Sequence, residues 1–94
     1  MPSIRIPSQL RVITAGVADV AVDATSVRGA LAELELKHPG IRARLFDAAG
    51  TVRPFIRLFV GSDDIDALAG LDTPLGVRDE LAIIPAIAGG AADA

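Results

Sequence analysis

The chain has no cysteine, no tryptophan and no tyrosine, and a single histidine. Without cysteine there is no disulfide framework, no thiolate zinc site and no cysteine nucleophile. No Ser-His-Asp constellation, phosphate loop or metal-ligand spacing takes its place, so no catalytic residue and no metal or bound cofactor is expected. Long apolar runs are missing too. The longest uncharged stretch, Leu81 to Ala92, is interrupted by Pro85 and two glycines and falls short of the roughly 20 apolar residues that span a bilayer. The start, MPSIRIPSQLRV, lacks the basic and apolar regions of a signal peptide, so a cytoplasmic protein with no membrane partner is expected. A net charge of −3, with arginines scattered among acids, argues against a nucleic-acid partner.

What is present suffices for one modest core: 94 residues, 51% apolar and 22% charged. Ser3 to Ile6 alternates polar and apolar until Pro7, and Val17 to Asp23 repeats the alternation with Ala18, Val20 and Val22 on one side. These read as two strands of a hairpin, joined by a connection longer than a tight turn. Thr25 or Ser26 caps a helix with Val27, Leu31 and Leu34 at helical spacing, and Pro39-Gly40 ends it after His38. Gly29 within it costs roughly 1 kcal/mol relative to Ala, which suggests a close approach to the sheet. Ile41 to Phe46 is a second short apolar cluster. Phe55 to Val60 is the strongest strand signal and is expected to be central or near-central. Gly61 to Asp64 reads as a turn, Ile65 to Leu71 as a weakly patterned connection, and Leu81 to Pro85 as the last strand, ended by its proline.

Hairpin, helix, strand, short elements and strand make an α+β order with one main helix across one face of a mixed sheet. A β-grasp, ubiquitin-like fold satisfies it, with residues 1–88 as the domain and 89–94 as a flexible tail. The last strand runs through Ile83-Ile84-Pro85-Ala86-Ile87-Ala88 into Gly89-Gly90. Five residues carry the chain from Pro85 to Gly90, about 17 Å when extended. Two glycines present no side chain to a narrow channel.

In that segment the sequence resembles the MoaD/ThiS family of ubiquitin-like sulfur carrier proteins, over Met1 to Gly90. Ile6-Pro7, Leu10-Arg11, Thr14 and Gly16, with Ile84 to Gly90, look most like the carriers that serve cysteine biosynthesis. The resemblance implies that an ATP-using, ubiquitin-activating-type adenylyltransferase adenylates the Gly90 carboxylate, which then becomes a thiocarboxylate. A sulfur-accepting synthase receives the sulfur, a PLP-dependent cysteine synthase if the subgroup holds. Thiamine, molybdopterin and specialised metabolites are the other destinations of such chemistry. The chain would then be a co-substrate and not an enzyme.

Family members ready for activation end at the second glycine, whereas Ala91 to Ala94 follow here. Gly90 is thus inside an amide bond, and Gly89, Gly90 and Ala91 form an expected processing site for a peptidase. The resemblance implies a zinc metalloprotease of the JAMM type. The other reading of the extension is a cloning remnant or an inactive copy.

Alternation along 55–60 puts Ile56, Leu58 and Val60 toward the helix and Phe55, Arg57 and Phe59 on the opposite face, joined by Arg5 and Ile84. Aromatic and arginine residues are enriched at interfaces, so Phe55, Arg57, Phe59 and Ile84 form an expected partner-docking surface. His38 reads as a structural residue at a helix end, and Asp63, Asp64 and Asp66 as a solvated acidic turn without the spacing of a calcium loop. Two further functions remain open beside the sulfur carrier: a protein modifier conjugated through Gly90 to lysines, and a plain interaction domain in which the glycines are incidental.

Overall fold

The computed structural model describes residues 1–85. Alternation in the N-terminal segments becomes a hairpin of β1 (Ser3–Arg5) and β2 (Asp19–Ala21), antiparallel with Ile4 opposite Val20. The connection folds on itself. Pro7 precedes a 3-10 turn at Ser8–Leu10 that buries Leu10, and the fully buried Thr14 donates its hydroxyl to Val17 O at 2.8 Å. That bond closes a turn through Ala15 and Gly16, both at positive φ.

Helix α1 (Val27–Lys37) starts at Ser26, whose side chain accepts the Gly29 N–H at 3.1 Å. Val27, Ala30, Leu31 and Leu34 are buried at the spacing of one helical face. A Cβ on Gly29 would lie 3.3 Å from Ser26 Oγ and 3.4 Å from Ala24 Cβ. The close neighbour of Gly29 is therefore its own cap and not the sheet. At Gly40 the backbone turns left-handed (φ 101°), which ends α1 and opens a second helix, α2 (Ile41–Leu45), where the sequence suggested only an apolar cluster. The Glu35 carboxylate stands in for a cap there, accepting from Gly40 N at 3.0 Å and Arg42 N at 2.7 Å.

The strongest strand signal forms β3 (Ile56–Val60). Gly61 and Ser62 turn it into β4 (Asp63–Asp64), which pairs back on Phe59 and Val60, so the expected turn is a hairpin with a short strand of its own. The weakly patterned connection contains 3-10 turns at Ile65–Ala67 and Gly70–Asp72. The last strand is β5 (Glu80–Pro85).

Sheet order is β2-β1-β5-β3-β4, with β1 and β5 parallel and the other pairs antiparallel. The sheet is mixed, β5 occupies its centre and β3 lies beside it. Ile4, Val20, Leu58, Leu81 and Ile83 from the sheet join Leu31 and Leu34 of α1 in one buried cluster. Burying each such side chain is worth about 1.5–3 kcal/mol. This is the expected β-grasp architecture.

Candidate functional site

The central position of β5 fixes where its last residue, Pro85, lies. Its parallel partner β1 and antiparallel partner β3 flank it on both sides, so Pro85 emerges from the middle of the sheet and not from an edge. Pro85 faces Ile56. As a proline it donates no ladder hydrogen bond, and the Ile56 N–H is spent on Arg53 O at 3.0 Å. This is the last pair of the β3–β5 ladder among the described residues. Gly89, Gly90 and Ala91 lie outside the described residues.

Of the expected docking residues, Arg57, Phe59 and Ile84 fall on the face of the sheet away from α1. Arg57 is exposed and faces Ile84, which is 44% exposed, across the β3–β5 ladder. Phe59 is half-buried opposite Ala82. Phe55 is exposed but precedes β3 in a turn, beside Leu10 and Pro85, so it borders the face at its tail end rather than standing in the ladder with Arg57. Arg5, on β1, shares the face through Ala82.

Electrostatics on this face were not read from the sequence. Arg57 approaches Asp64 at 3.7 Å and Asp66 at 3.8 Å, and Arg5 approaches Glu80 at 3.9 Å. Asp64 also caps the following 3-10 turn by accepting the Asp66 N–H at 2.9 Å. The acidic turn is therefore partly an arginine holder. A usable signal existed: a Gly-Ser hairpin after Val60 places Asp64 opposite Phe59, on the same face as Arg57. These ion pairs are exposed or half-exposed to solvent, and each is worth about 1 kcal/mol or less. They position the guanidinium more than they stabilise the fold.

His38 caps the end of α1 through its backbone N–H, which bonds Leu34 O at 2.8 Å. Among the described residues no cluster of His, Cys, Asp and Glu could hold a metal ion, and no helix is long and apolar enough to cross a membrane. What the described site offers is a sheet face of apolar and paired charged groups, beside the end of the central strand β5.

Known proteins are similar to this chain in sequence and in fold. The chain is 31% identical over 90 residues to the sulfur carrier protein CysO of Mycobacterium tuberculosis, covering 94% of this chain and 97% of that protein. The solved complex of BexX and CysO from Amycolatopsis orientalis contains a chain that superimposes with a TM-score of 0.88 at 32% identity, over 96% of this chain and 100% of that one. The crystal structure of Mycobacterium tuberculosis CysO gives 0.86 at 28% identity, over 93% and 100%. The model of the ThiS family matches residues 4–90, ending on the second glycine. With the fold, the exit of β5 and this match together, the chain belongs to the ThiS family.

Proposed function

We propose that this protein is a sulfur carrier whose reactive group is the Gly90 carboxylate, and that the domain acts as a co-substrate of partner enzymes. The observation that carries the reading is the family match that spans the fold and stops at Gly90, supported by a 31% identical sulfur carrier. The physical logic runs through the leaving group. A carboxylate resists attack until one oxygen is made a good leaving group. A partner adenylyltransferase supplies this by joining the carboxylate oxygen to the α-phosphate of ATP, with release of pyrophosphate. A sulfide equivalent then attacks the acyl carbon, AMP departs, and Gly90 ends in a thiocarboxylate. Holding sulfur on a tether raises its effective concentration at the receiving site without releasing free sulfide.

Because Ala91 follows Gly90, the amide between them has to be hydrolysed first. A JAMM-type metalloprotease is the proposed agent. A PLP-dependent cysteine synthase is the proposed recipient, in keeping with the CysO relatives. Phe55, Arg57, Phe59 and Ile84 are the proposed docking surface.

Intact-mass analysis of the chain isolated from its own cells tests the reading. A Gly90-ending species and a second species heavier by the exchange of one oxygen for sulfur are expected. A population that always retains Ala91 overturns it. Gly-Gly remnants on lysines of other proteins, with no sulfur-bearing form, would make the chain a modifier instead.

A further inference from the structure

The end of the sheet at which β5 reaches Pro85 carries a second feature, which shares only Phe55 with the proposed docking surface. Because β1 and β5 are parallel and β3 is antiparallel to β5, the end of β1, the end of β5 and the start of β3 lie together. Between them and α2 is a groove of about 290 Å³ with an apolar floor of Leu10, Phe55, Ile56 and Pro85. Phe55 remains 43% exposed there, an unusual state for a phenylalanine beside a buried Leu10 and Ile56. The charged members of the lining are Arg44 and Arg53, and no carboxylate lines it.

The two arginines differ in state. Arg53 is spent on the fold, its Nε and one terminal nitrogen donating to Ala43 O at 3.1 and 3.0 Å. Arg44 is exposed and, among the described residues, has no ion-pair partner, whereas Arg5 and Arg28 each have one and Arg57 has two. On a chain of net charge −3 this is a locally cationic rim over an apolar floor. An apolar side chain seated in the groove and a carboxylate reaching Arg44 would complement both parts at once.

We infer that this groove receives an acidic, apolar segment of the protein that activates Gly90, one apolar residue filling the floor beside Phe55 and a neighbouring carboxylate engaging Arg44. The inference rests on the sulfur-carrier reading for the identity of the partner. Position supports the assignment: Pro85 both lines the groove and leads into the five residues that end at Gly90, so a segment bound there stands within about 17 Å of the reacting carbon. Docking at the root of the tail fixes one end of the tether and narrows the volume its tip must search.

The test uses the full chain, labelled with nitrogen-15, titrated with a blocked tetrapeptide of Leu-Phe flanked by glutamates and with its lysine-flanked counterpart. Saturable shifts confined to Leu10, Ala43, Arg44, Phe55 and Ile56 are expected for the acidic peptide. Arg44→Glu, with its other resonances unchanged, is expected to weaken that binding about tenfold. Absence of saturable shifts, shifts elsewhere, or equal binding of the two peptides overturns the inference. So do nuclear Overhauser contacts from Ile87 methyls to Leu10 or Phe55 in the free chain, which would make the chain its own occupant. A protein that gains sulfur on Gly90 but fails these tests loses the groove alone. One that binds the acidic peptide but never gains sulfur keeps the groove and its ligand chemistry but loses the carrier reading and, with it, the identity of the partner.

Discussion

Arg57 sits directly across the β3–β5 ladder from Ile84, with Asp64 and Asp66 drawing its guanidinium toward β4 at 3.7 and 3.8 Å. A cation and an apolar side chain thus share the centre of the proposed docking face, and the cation is held in place before any partner arrives. Arg57→Glu would set a third carboxylate beside two others. It is expected to weaken binding to the proposed adenylating partner by about tenfold or more while lowering fold stability by about 1 kcal/mol or less. Arg57→Met, which keeps the aliphatic stem, is expected to lose less. Calorimetric titration against the adenylating enzyme checks both, and equal affinities of all three proteins would remove Arg57 from the interface.

At the start of α1, Ser26 Oγ both caps Gly29 and blocks the space a larger residue would need there. Ser26→Ala is expected to cost about 1 kcal/mol in urea denaturation. Gly29→Ala would gain about 1 kcal/mol from helix propensity, but its Cβ would press on the cap at 3.3 Å. Its net effect is expected to stay within about 0.5 kcal/mol. In the Ser26→Ala background the obstruction is gone, and Gly29→Ala is expected to recover the full gain. A double-mutant cycle reads this coupling directly.

Those two sites mark what was legible in the sequence and what was not. Period-two alternation exposed β1 and β2, β-branched and aromatic content exposed β3, an apolar run ended by Pro85 exposed β5, and the spacing of Val27, Leu31 and Leu34 exposed α1, because each element buries one face. Gly29 was misread because a glycine in a helix signals closeness without naming the neighbour. Helix α2 was missed for a different reason: five residues carry too little periodicity, and its cap comes from Glu35, in the preceding helix. Strand β4 is two residues of Asp, a type depleted in strands, and is held by the hairpin rather than by propensity. The alternation that located Arg57 on the outer face held no information about its acidic partners until the hairpin register was known.

Thr14 belongs to the set of residues that carried the family resemblance, and its role is structural. Its side chain is fully buried and its hydroxyl donates to Val17 O, closing a turn in which Ala15 is held at φ 55°. An alanine in that region is strained by roughly 1 kcal/mol, so the turn depends on what closes it. Thr14→Val keeps the volume but leaves the carbonyl unpaired, and is expected to cost about 1–3 kcal/mol in chemical denaturation. Sulfur loading of Gly90 at a temperature where the variant remains folded is expected to be unchanged, which would separate a fold requirement from a functional one.

Glu35 gives the fold a defined acid sensitivity. The backbone N–H groups of Arg42 and Gly40 bond its carboxylate and hold its pKa below the ordinary glutamate value, against a smaller opposing effect of burial. In the unfolded chain those donors are lost and the ordinary value returns. A carboxylate depressed on folding contributes stability that is complete above the unfolded pKa and disappears as pH falls through the lowered folded one. Glu35→Gln is therefore expected to be less stable than the parent at pH 7, with the gap narrowing as the pH drops below about 4. Melting temperatures of both proteins between pH 7 and 3 check this. A gap that stays constant across that range would mean that ionisation of Glu35 adds nothing to the hold on α2.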